Sequence, residues 1–233
     1  MSELQMVETL LIGDTHADVD GYFSLISQAE RARGKALPSI HVGDYGFGSL
    51  SPAEERQVER FHRINPRHCF LRGNHDRPSL IQGAPGYLND GLICGSVLFL
   101  GGADGALRNW QTEMSPERMA EISTRLSDLG ELPTVVISHD GPQEAAELLF
   151  ADRGLGGGPL AVSRTRAFLS EVLALIHPQL WIFGHWHHAW AAQIGDTHFR
   201  ALGFAEALTV PLPWIPGDLG KPKLARPDCS RSP

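Results

Sequence analysis

Five short apolar runs in this chain stop at a small residue, and polar side chains follow each stop at once. They are "VETLLIGDTH", a predicted strand over 7–12; "PSIHVGD", ending at Gly43; "HCFLRGNHD", ending at Gly73; "TVVISHDGP", ending at Ser138; and "LWIFGHWHH", ending at Gly184. Short apolar runs bounded in this way are the pattern of buried strands. Helical patterns lie between them. Residues 20–33 set Phe23, Ile26 and Ala29 near a 3.6-residue period. Residues 51–65 open with Ser51, Pro52 and Glu54, the order of an N-cap, a first helical proline and a capping-box partner. Ser115-Pro116 repeats the device, and residues 162–176 form an amphipathic helix that Pro178 stops.

Strand–loop–helix alternation predicts an α/β architecture with ligands gathered at the carboxyl ends of the strands. Two stretches break the alternation. Residues 91–102 read as a hairpin, and residues 188–203 as another turning at Gly195-Asp196, so the sheets should be mixed. The glycine-rich stretch 151–160 lacks the lysine of a phosphate-binding loop and reads as a connection. From Pro211 onward the chain is rich in proline and should be extended or partly disordered. The expected organisation is one domain over 1–210 and a tail over 211–233.

Bulk properties narrow the class. A chain of 233 residues with 42% hydrophobic content can bury one sizeable core. It has no run of eighteen apolar residues and no basic segment ahead of its first apolar run, so neither a membrane span nor a signal peptide is expected, and the expected location is cytoplasmic. Cys69, Cys94 and Cys229 are odd in number and far apart, which suits two buried thiols and one in the tail. A net charge of −7 argues against an extended nucleic-acid surface. It permits a small phosphate ester, because a site can carry local positive charge inside an acidic protein.

The residues at the strand ends name a chemistry. Asp14 and His16 follow the first run, Asp44 the second, and Asn74, His75 and Asp76 the third; His139 follows the fourth, and His185 and His187 the fifth. A D-x-H alone arises by chance in roughly one such chain in four or five, but G-N-H-D in well under about one in a thousand. Finding these blocks in order at strand ends points to a site. Carboxylate, amide and imidazole donors without thiolate select Mn²⁺, Fe, Zn²⁺ or a similar ion. The donors exceed what one ion holds, and two ions sharing a carboxylate is the economical arrangement. Two aspartates against two divalent ions leave a positive site, suited to phosphate.

The ordered set D-x-H, G-D, G-N-H-D, a lone His before "DGP", and G-H-x-H resembles the calcineurin-like metallophosphoesterase superfamily over residues 14–187. The resemblance implies a four-layer α/β/β/α sandwich of two mixed β-sheets flanked by helices. It implies that Asp14, His16 and His187 bind one metal, that Asn74, His139 and His185 bind a second, and that Asp44 bridges them. His75 would be the catalytic histidine facing the substrate. The cofactors implied are two divalent ions, manganese first, with iron, zinc, nickel or cobalt as alternatives. The activity implied is hydrolysis of a phosphodiester or phosphomonoester by a metal-bridging hydroxide, with a nuclease or a non-catalytic metal-binding scaffold as alternatives. The partner expected is a small phosphate ester, a nucleotide among the candidates, and no membrane.

Other residues have weaker roles. "GDYGFGSL" lacks the second aspartate and the arginine of the G-D-x-x-D-R-G run of protein serine/threonine phosphatases, which disfavours that activity. Read as an extended segment, residues 185–188 turn His185 and His187 one way and Trp186 and His188 the other. His188 then has a supporting or surface role, and Asp76 caps a helix or supports the ligands. Tyr45, Arg77, Arg108 and Trp110 are candidates for the substrate side, with Arg108 as the phosphate contact. Trp186 and Trp190 fit packing better than a nucleobase pocket. His41, His62, His68, His177 and His198 fit structural or exposed positions.

Overall fold

A computed structural model of the chain describes residues 6–105, 112–156, 161 and 163–214. The elements run β1 (Val7–Ile12), α1 (Val19–Arg33), β2 (Ser39–His41), α2 (Pro52–Ile64), β3 (His68–Phe70), α3 (Pro78–Ile81), β4 (Leu92–Cys94), β5 (Val97–Leu100), α4 (Pro116–Ser127), β6 (Val135–Ser138), α5 (Gln143–Arg153), α6 (Arg164–Ile176), β7 (Leu180–Phe183), β8 (Trp190–Ile194), β9 (Thr197–Ala201) and β10 (Ala207–Leu212). They build two mixed sheets. One has four strands in the order β10-β1-β2-β3, and the other six in the order β4-β5-β6-β7-β9-β8. Strands β1, β2 and β3 are parallel, as are β5, β6, β7 and β9; β10, β4 and β8 are the antiparallel edges.

Strand alternation divides the core into three apolar layers. Leu11, Ile40 and Cys69 of the first sheet meet Val97, Phe99, Ile137 and Ile182 of the second. Leu10, Ile12 and Phe70 face the other way, onto Tyr22 and Ile26 of α1 and Val58 of α2. Leu98, Leu100, Val136, Trp181 and Phe183 face outward onto α4, α5 and α6. The result is the expected helix–sheet–sheet–helix stack, and both of its internal sheets are covered on each face.

Helix starts follow their caps. Ser51 and Glu54 form the reciprocal capping box, and Ser115 and Ser163 cap α4 and α6 by accepting from the backbone of Arg118 and Arg166. In α1 the N-cap is Asp18, and the fully buried stripe is Val19, Tyr22 and Ile26. Phe23 and Ala29, expected at the centre of that face, sit half-buried at its margin.

Three features depart from the sequence expectation. Helix α5 was not anticipated, and residues 151–153 of the supposed connection are its last turn, ended by Gly154 in the left-handed region at φ 64°. Strand β10 runs through Pro211, which lies opposite Glu8 on the edge of the first sheet, where a missing N–H can face outward. Beyond it Trp214 is fully buried, its indole N–H donating to Thr9 Oγ1 at 2.7 Å. Residues 211–214 thus continue against the first sheet; 215–233, with Cys229, lie outside the described residues. Cys69 is a buried free thiol, and Cys94 is buried as well. Among the described residues, no helix is long and apolar enough to cross a membrane.

Candidate metal centre

The parallel strands of both sheets carry their polar followers to one place. β1 leads to Asp14 and His16, β2 to Asp44, and β3 to Asn74 and His75; from the second sheet, β6 leads to His139 and β7 to His185 and His187. Ligand atoms of Asp14, His16, Asp44 and His187 lie within 4.8 Å of one another, and so do those of Asp44, His139 and His185. Asp44 belongs to both groups. Asn74 joins the second through Oδ1, 3.1 Å from His139 Nε2.

The backbone that achieves this is contorted. His16, Asp44, His185 and His187 have φ of 46°, 57°, 68° and 57°. For residues with a side chain this left-handed region costs about 1–2 kcal/mol each, and it concentrates at functional sites. It also replaces the extended geometry expected for 185–188. His185 and His187 go to different groups because the chain twists at each of them. Two glycines permit the close passage of the sheets. A Cβ on Gly43 would lie 2.4 Å from His139 Nδ1, and one on Gly184 only 2.3 Å from Asp14 Oδ1.

The donor set fits divalent ions on the geometry alone. His139 Nδ1 lies 3.0 Å from the Val42 carbonyl oxygen, to which it must donate. In the neutral ring Nε2 then bears the lone pair, yet it faces two acceptors, Asn74 Oδ1 at 3.1 Å and Asp44 Oδ1 at 3.5 Å. A cation placed between these converging atoms would satisfy all of them at once. In the other group His16 Nε2 and His187 Nε2 approach to 2.8 Å, with Asp14 Oδ2 3.3 Å from His187 and Asp44 Oδ2 3.7 Å from His16.

Burial and mutual charge set the protonation. Burial, with the nearby Asp14 and Asp76 carboxylates, raises the Asp44 pKa well above the ordinary range. A neighbouring cation would relieve that cost. Asp14 is also fully buried, but the hydrogen bond from His187 and the imidazoles of His139, His187 and His185 outweigh burial and hold its pKa down. Burial lowers His16 and, more strongly, His185 into the neutral form that binds metal. The Asp14 hydrogen bond raises His187.

Asp76 is the organiser of the ligand loops. Fully buried, its carboxylate accepts from the N–H of Gly46 (2.7 Å), Gly73 (2.8 Å), Phe47 (2.9 Å) and Tyr45 (3.1 Å). It thereby ties the loop after Asp44 to the loop holding Asn74 and His75. The His75 N–H donates to Asp44 Oδ1 at 2.6 Å, and its ring stands edge-on to His16 at 4.5 Å.

Other sequence candidates separate. Tyr45 is buried in the aromatic core and does not face the site. Arg77 is exposed at the start of α3, and His188 is half-buried outside both ligand groups. Arg108 and Trp110 lie outside the described residues. Trp186 donates to Asp140 at 3.1 Å and packs on Phe150, while Trp190 donates to Asp152 at 2.9 Å; both are packing residues. His41, His62 and His68 are buried. Sequence reasoning missed two features. Buried Arg166 reaches Asp140 at 3.4 Å behind the ligands, and burial raises the Asp140 pKa to about 6 despite that charge. Phe204 stands over His16 and His187, in a hairpin exit that no motif marks.

Known proteins bear on this geometry. The family profile described as calcineurin-like phosphoesterase matches residues 8–189. The crystal structure of TT1561 from Thermus thermophilus superposes with a TM-score of 0.52 at 12% identity, covering 88% of this chain and 99% of that one. Phosphopantetheinyl hydrolase (PptH) from Mycobacterium tuberculosis gives a TM-score of 0.47 at 15% identity, covering 97% and 99%. At such identities the TT1561 likeness is one of fold. Among curated proteins, none matches this chain in sequence.

Proposed function

The chain belongs to the calcineurin-like phosphoesterase family, and on that premise we propose that it hydrolyses a small phosphodiester or phosphomonoester at a centre of two divalent ions. The carrying observation is the sharing of Asp44 between the two ligand groups. In this reading Asp14, His16 and His187 would hold one ion and Asn74, His139 and His185 the other, with Asp44 available to both. When bound, the ions supply positive charge to the ester phosphate and acidify water, manganese being the first choice and iron, zinc, nickel or cobalt the alternatives.

The remaining work falls to the protein's own groups. Asp76 keeps the Asp44 loop and the Asn74–His75 loop at a fixed distance through its four backbone hydrogen bonds. His75, anchored through its N–H to Asp44, presents its imidazole beside His16 and gives a proton to the leaving oxygen. The buried, free Cys69 thiol supports a cytoplasmic setting.

The test is Mn²⁺-dependent hydrolysis of bis(4-nitrophenyl) phosphate and of 4-nitrophenyl phosphate. Turnover of at least one ester is expected, with a loss of about 100-fold or more in Asp44→Asn. Equal rates in the two proteins would remove the shared carboxylate from the reaction. His75→Ala should keep its metal by elemental analysis and lose about 10²–10⁴ in kcat. A fully active variant would refute the role given to His75.

A further inference from the structure

An aromatic ring that takes no part in the ligand pattern stands at the mouth of the centre. Phe204 is 53% exposed, yet it is held in place. Its ring lies nearly parallel to the His16 imidazole, with centroids 5.8 Å apart and planes 7° apart, and edge-on to His187 at 5.6 Å. The turn that carries it is bonded to the strand end bearing Asp14. Ala205 N–H donates to the Asp14 carbonyl at 2.9 Å, and Gly13 N–H to the Glu206 carbonyl at 2.8 Å. The Glu206 carboxylate accepts from Gly203 N–H at 2.7 Å and pairs with Arg200. Ala205 adopts φ 48°, and a Cβ on Gly13 would come within 2.2 Å of the Gly203 oxygen. One short stretch therefore sets both the ring and the ligand.

An apolar face left in water at the edge of a polar cluster forgoes hydrophobic stabilisation. What such a ring offers is a flat surface for stacking, which tolerates any π-faced partner. The His187 side chain beside it is 42% exposed, so ring and imidazole form an open shelf. Resting on the phosphoesterase reading, we propose that Phe204 determines specificity by stacking on the flat group of the ester, an aryl ring or a nucleobase, while the phosphate lies at the Asp44-centred cluster.

Calorimetric titration of the full-length, Mn²⁺-loaded protein tests this, with methyl phosphate, phenyl phosphate and adenosine monophosphate as probes. The wild type should bind one or both of the flat-group esters about tenfold more tightly than methyl phosphate. Which of the two is favoured separates an aryl from a nucleobase partner. Phe204→Ala should bring that ratio close to one, and Phe204→Tyr should retain it. A wild-type ratio near one overturns the proposal. So does an unchanged ratio in Phe204→Ala with all three ligands equally weakened, which would make the ring a cover for the imidazoles. Binding of none of the three also overturns the shelf, while the phosphoesterase reading stands or falls separately on hydrolysis of bis(4-nitrophenyl) phosphate.

Discussion

Single residues in this protein act chiefly through backbone they hold. Asp76 is the clearest instance, since four N–H donors from two loops end on one carboxylate. Asp76→Asn turns an amide toward some of those donors and should cost about 2–4 kcal/mol by urea denaturation, together with metal content. Gly184→Ala places a methyl against Asp14 and should empty the Asp14–His16–His187 site selectively, read by elemental analysis. His62 illustrates a residue with no part in the site. Burial lowers its pKa to about 4, and its Nδ1 bonds the His68 carbonyl at 2.8 Å. The folded state therefore binds fewer protons than the unfolded one below the ordinary value of about 6.5. Its contribution is present above that pH and is lost as the pH falls toward 4. His62→Asn, whose amide can keep the bond, should reduce the slope of stability against pH in that window by about 1 kcal/mol per unit.

At the level of elements, helix starts and strand ends were legible because their determinants are local. Ser51 and Glu54 satisfy each other's backbone within one turn, so the pattern in the sequence is the structure itself. Ser51→Ala should lower stability by about 1 kcal/mol, visible in the urea midpoint. Helix α5 was illegible for the converse reason. Its N-cap is Pro142, which makes no side-chain cap, and its buried residues Ala145, Ala146 and Leu149 are too few to mark a period. Strand β10 was hidden by Pro211, a residue that argues against a strand except at an edge. The segment carrying His185 and His187 lies where the sequence places it, but its backbone is left-handed at both histidines rather than extended. His and Asp enter the left-handed region more readily than most residues, but their identities do not say where, and the surrounding structure imposes it.

At the largest scale, the candidate centre joins two sheets that share no hydrogen-bonded strand pair among the described residues. Asp14, Asp44 and Asn74 come from one and His139, His185 and His187 from the other, so an ion held there would clamp their strand ends together. Chelation of a metal-loaded preparation should lower its unfolding temperature by several degrees, and returning Mn²⁺ should restore it. An unmoved transition would show that the sheets need no clamp.

The sequence by itself determined the alternation of the central strands with helices α1, α2, α4 and α6, the strand ends, and the donor types gathered there, since apolar period and terminating glycines act over a few residues. Tertiary structure alone decided that His185 and His187 are left-handed, that Asp76 staples the loops after Asp44 and before Asn74, and that Phe204 overhangs two of the imidazoles. Those relations include contacts between residues far apart in the chain, from Gly46 to Asp76 and from His16 to Phe204, and no local pattern constrains such contacts before the two sheets pack.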